Sequence, residues 1–149
     1  MAVGAVGIAL PFAGSAEAGG AAFDRFVEVC LEPLSDFQPA AVAGLAAIET
    51  PDWAGAEGAA FAGPRRHVFV VGDGGGLPSC RIVAAAQAGT DLAARFEMWS
   101  ARQLAQGTWE ERDGRLESLT HEPRIAIEFF PASAARGPMI EVRETDKEA

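Results

Sequence analysis

The chain reads as an α+β domain: an antiparallel sheet of about six strands, with two N-terminal helices and one central helix packed on one face. Three observations predict this. Apolar residues recur at helical spacing in "FDRFVEVCLEPL" and "TDLAARFEMWSARQLAQG". Short runs rich in β-branched residues stand at "HVFVV", "CRIVAAA", "RIAIEFF" and "MIEVRET", and "TWEERDGRLESL" turns on an Asp-Gly pair. The order helix, helix, strand, strand, helix, then four strands segregates the two element types, as an α+β fold does.

In chain order, residues 1–18 are expected to be an address rather than structure. Ala2 to Ala13 form an apolar run of about a dozen residues, too short to span a hydrocarbon core of roughly 30 Å and suited to a signal-peptide core. Pro11, Gly14 and Ser15 end it, and Ala16-Glu17-Ala18 offers the small residues that a signal peptidase accepts, so cleavage is expected after Ala18. No lysine or arginine precedes the core, which makes the signal atypical or puts the true start upstream. The alternative, an N-terminal helix packed in the core, meets five glycines in the first twenty residues.

Residues 19–149 then form one domain. Phe23, Phe26, Val27, Cys30, Leu31 and Leu34 fall on one face of a first helix, with Cys30 pointing inward and Pro33 expected to end it. A second, short helix is expected in "SDFQPAAVAGLAAIETPDW", capped by Ser35 or Asp36, with Val42, Leu45, Ala46 and Ile48 as its buried stripe and Trp53 packed beneath. Residues 54–64 are Gly/Ala-rich and unpatterned and read as a loop. Strands at 67–71 and 80–86 form a hairpin with a loose turn, and the central helix runs from a Thr90 or Asp91 cap to Gly107 with Leu92, Phe96, Trp99 and Gln103/Leu104 inward. Asp113-Gly114 makes a tight hairpin, because both turn positions want positive φ. Strands at 124–130 and 139–145 follow.

Charge and cysteine content narrow the function classes. The 149 residues hold 21 acidic and 12 basic side chains, a net charge of −9, and loss of residues 1–18 takes Glu17 away and leaves −8. Such a chain repels phosphate backbones and anionic lipid, so nucleic acid is not an expected partner and no membrane insertion is expected after signal cleavage. Cys30 and Cys80 are the only cysteines. In an exported chain they pair, closing a loop of about 50 residues and stabilising by roughly 4 kcal/mol on the loop-entropy model. In a cytosolic chain they would stand as free thiols. Neither has a His or Cys a few residues away, so no metal site is expected, and no cofactor motif is present.

Each candidate site has an ordinary reading beside it. Gly72-Asp73-Gly74-Gly75-Gly76 resembles a phosphate cradle but leads into a strand rather than a helix N-terminus, so a hairpin loop is expected. His67 and His121 are possible bases for a hydrolase, yet none of Ser35, Ser79, Ser100, Ser118 and Ser133 lies in a Gly-x-Ser-x-Gly elbow, and surface histidines are expected. Glu110-Glu111, or Glu117 with Glu122, could pair as acid and base, but they sit on a polar hairpin where solvated charge is ordinary. Arg65 and Arg66, with Arg81 on the facing strand, form the one local cationic cluster and the candidate ligand-binding residues, able to receive a carboxylate or anionic partner. Pairing within the molecule, for instance with Asp73, is the plain alternative.

"FDRFVEVC" just after a cleavage site, a tryptophan after a Gly/Ala-rich second helix, and a second cysteine leading a strand together resemble small secreted single-disulfide proteins of Gram-negative bacteria. The resemblance covers the first half of the mature chain. It implies a periplasmic or secreted location and carries over no catalytic residues. The first functional expectation is therefore a non-enzymatic envelope domain that binds a protein or small ligand through its sheet face or edge. The second is a small periplasmic hydrolase using His67 or His121 with a carboxylate, which requires one histidine near a serine or carboxylate within a concave pocket. A third is an acidic inhibitor or immunity-type protein, with a clustered acidic patch facing a basic partner.

Overall fold

A computed structural model describes residues 22–54, 58–63, 66–72, 77–85 and 89–145. The expected signal segment, and with it the cleavage position, lies outside them. Among the described residues the chain forms helix α1 (residues 22–35), strands β1 (Ala46–Ile48), β2 (Ala59–Ala62), β3 (Val68–Gly72) and β4 (Ser79–Val83), and helix α2 (Gly89–Gln106). Strands β5 (Trp109–Arg112), β6 (Arg115–Ser118), β7 (Ile125–Phe130) and β8 (Met139–Glu144) complete it. All eight strands join one antiparallel sheet in the order β1-β2-β3-β4-β8-β7-β6-β5. The α+β class and the antiparallel sheet are as the sequence predicts. Among the described residues the strand count is eight rather than six, and beside a single 3-10 turn at Asp52–Ala54 the helices are two rather than three; Leu104, expected inward on α2, is exposed.

The differences in strand and helix count arise between residues 36 and 62. The expected second helix is absent: Phe37 and Gly44 take positive φ (56° and 88°), which no right-handed helix admits, and Ala46–Ile48 pairs with β2 instead. Residues 59–62, expected as loop, become β2 because Phe61 lies beside Phe69 across the ladder and packs on the main core. Alanine-rich sequence serves either state, and the non-local pairing decides. Trp53 packs with Ala54, Ala60, Val68 and Val70 in a smaller apolar cluster.

Helix α1 departs from expectation at Pro33, which does not end it. A proline there lacks an N–H and crowds the carbonyl four residues back, that of Val29. The chain answers with a wide π turn over Val27–Leu31, closed by the Glu32 N–H on the Val27 carbonyl, and the helix continues to Ser35. Val29's carbonyl accepts from the Ala41 N–H at 2.9 Å. The wide turn leaves Val29, Cys30 and Leu31 all buried.

The two helices share one face of the sheet. Phe23, Phe26, Cys30 and Leu34 of α1 and Leu92 of α2 meet Phe69, Cys80, Ile82, Ile125, Ile127, Ile140 and Val142, and Trp99 lies 5.3 Å edge-on to Trp109. An Arg95–Asp24 ion pair of 2.8 Å links the helices. Cys30 and Cys80 form a disulfide that fixes α1 to β4. Asp113 and Gly114 both have positive φ, as the β5–β6 turn requires.

Candidate functional site

The period of two along each strand sorts side chains between the faces. On the face away from the helices, Arg81 reaches Glu141 at 3.7 Å and the Ala54 carbonyl at 3.0 Å, and Arg143 reaches the other Glu141 oxygen at 2.7 Å. Toward the β5 edge, Glu117 accepts from Arg115 at 2.7 Å and from Arg124 at 3.4 Å, with Arg112 at 3.8 Å, while Arg124 also holds Glu110 at 2.8 Å. Burial works against the Glu117 charge, but Arg115, Arg124 and Arg112 together outweigh it and hold the carboxyl below its ordinary range. The expectation of solvated charge on this hairpin is therefore corrected at Glu117, whose side chain is 5 % exposed.

Of the candidate ligand-binding arginines, Arg65 lies outside the described residues. Arg66 is exposed at φ 65°. Arg81 stands opposite Val70, so about four strand residues, roughly 13 Å, separate its level from that of Arg66. The structure does not bring Arg66 and Arg81 together, and the Arg81 guanidinium is engaged inside the molecule. Asp73 to Gly76 of the glycine-rich loop also lie outside the described residues.

Both histidines are less exposed than expected. His67 is not on the surface: it is 1 % exposed and takes part in interactions inside the fold. His121 is half-buried between Phe37 and Trp109, and its Nδ1 is in hydrogen-bond contact with the Ser118 hydroxyl. This places a histidine beside a serine, as a hydrolase requires. Ser118 is nevertheless 0 % exposed, it also contacts Thr120, and neither Ser118 nor His121 lines the cavities below. The contact ties down the bend between β6 and β7.

Of the cavities among the described residues, two have a volume of about 340 Å³. One, between α2 and the β5–β6 hairpin, has Glu97, Ser100, Glu111 and Arg115 on its walls. Its Ser100 hydroxyl donates to the Phe96 carbonyl and its Arg115 is held by Glu117. The other lies beside the disulfide, between the end of α1 and the ends of β3, β4 and β8. Cys30, Leu34, Phe37, Ala40, Val71 and Pro78 make most of its apolar wall, and Ser79 and Glu144 add polar groups.

Phe37 at this cavity ends α1 in an unusual way. Its N–H donates to the Leu34 carbonyl and the Gln38 N–H to the Pro33 carbonyl, the pair of bonds of a Schellman cap. The left-handed position of that cap ordinarily takes glycine, and here it holds an aromatic ring that is 45 % exposed. Sequence reasoning missed Phe37 because the expected second helix covered it. Glu144 was legible in principle, since "IEVRE" alternates Ile140, Val142, Glu144 on one face.

Among the described residues no group of His, Cys, Asp and Glu has the arrangement to hold a metal ion, and no helix is long and apolar enough to cross a membrane. Comparison with protein-family models, curated proteins and solved structures finds no match to this chain.

Proposed function

We propose that the chain is an exported, disulfide-stapled binding domain, not an enzyme, and that the cavity beside Cys30 and Cys80 takes an apolar ligand. Phe37 carries this reading. A non-glycine residue at positive φ costs about 1–2 kcal/mol, and the ring that bears this cost stands on the cavity wall, 45 % exposed, rather than in the core. Conformational strain of this kind collects at binding sites. The cavity has the size and apolar lining of a small-molecule site, and the disulfide gives it a covalent wall. Export accords with a paired cysteine, which persists in oxidising compartments.

The test is a titration of the oxidised protein with 1-octanol, followed by amide chemical shifts. Saturable shifts at Leu34, Phe37, Ala40, Val71 and Ser79 are expected. Phe37→Gly is expected to weaken the binding several-fold while raising stability by about 1 kcal/mol, because glycine relieves the strained cap. A variant that unfolds more easily would make Phe37 a packing residue and remove the main support for the site.

A further inference from the structure

Resting on that reading of the cavity, we infer that its ligand carries a cationic nitrogen on an apolar body, with the Glu144 carboxylate as the group that receives it. Along β8, Ile140 and Val142 are fully buried on the helix-bearing face, and the strand's period of two places Glu144 next on that same face. A position that continues a core stripe ordinarily takes an apolar side chain. Here it takes a carboxylate, at the point where the core gives way to the cavity.

Among the described residues that carboxylate has no counter-ion. On the opposite face, Glu141 is met by two arginines and Glu117 by three. Glu144 makes no ion pair and accepts no side-chain hydrogen bond among the described residues; its backbone N–H donates to the Pro78 carbonyl. It is the only ionisable side chain among the twelve residues that line the cavity. An apolar wall with one uncompensated negative charge complements an alkyl- or aryl-ammonium group, and the net charge of −9 draws such cations toward the molecule. A neutral or anionic ligand of the same shape would leave the carboxylate desolvated without compensation.

The probes are n-octylammonium, 1-octanol and octanoate, titrated by amide shifts against the oxidised protein, its Glu144→Gln variant and its Glu144→Lys variant. Octylammonium is expected to bind the native protein roughly tenfold more tightly than octanol, and octanoate more weakly than either. On Glu144→Gln the octylammonium and octanol affinities should converge, and on Glu144→Lys octanoate should become the preferred probe. Octanol binding as tightly as octylammonium to the native protein, with cavity amides shifting for both, would overturn the cation assignment and leave the apolar site standing. No cavity shift with any probe would overturn the site as well.

Discussion

Glu117 stands on the face of the sheet away from α1 and α2, and Arg112, Arg115 and Arg124 close over it. Its folded-state pKa lies below its unfolded value, despite the opposing effect of burial. Its contribution to stability is therefore complete at neutral pH and is lost as pH falls through the depressed folded value. Urea unfolding over a pH series should show Glu117→Gln less stable by about 1–3 kcal/mol at pH 7, with the difference shrinking in acid. An equal deficit at every pH would assign the loss to packing rather than charge. None of this was legible in the sequence, which shows Glu117 only as one acid on a polar hairpin. Whether that glutamate is solvated or enclosed depends on Arg115 of its own strand together with Arg112 and Arg124, which the turns and ladders on either side of β6 bring beside it.

At the scale of elements, the π turn in α1 couples a proline to a loop. Because Pro33 lacks an N–H, Val29's carbonyl needs an outside donor, and Ala41 supplies it from the segment that runs past the cavity. Ala41→Pro removes that donor without adding bulk elsewhere and should cost about 1–3 kcal/mol in denaturant unfolding. It should also weaken octanol binding, since Ala40 and Leu34 line the same space. Unchanged stability would mean that the Val29 carbonyl finds water instead. The strongly periodic elements were legible: α1 to within its π turn, α2, the Asp113-Gly114 hairpin and strands β3, β4, β7 and β8. Residues 36–62 were not, because Val42, Leu45 and Ile48 satisfy a helical spacing while what rules a helix out is Gly44's φ and the pairing with β2.

At the scale of the whole molecule, the Cys30–Cys80 bridge joins the first helix to the centre of the sheet across 50 residues of sequence. Replacing both cysteines with alanine should lower stability by about 2–4 kcal/mol, read from urea midpoints of native and variant protein. Intact mass of natively expressed protein tests the proposed export. A species beginning at Gly19 and about two mass units lighter before reduction is expected, since an intramolecular disulfide removes two hydrogens. A full-length, reduced species would place the chain in a reducing compartment and set the export reading aside.

The strand order carries a consequence for synthesis. β8 follows β1–β7 in the sequence, lies between β4 and β7 and, among the described residues, is the only ladder partner joining the β1–β4 half of the sheet to the β5–β7 half. On the ribosome each half waits with an unpaired inner edge, and no complete sheet exists until residue 144 has been translated. Closure of the sheet thus waits on β8. A break before Met139 therefore costs the seam of the sheet rather than its border.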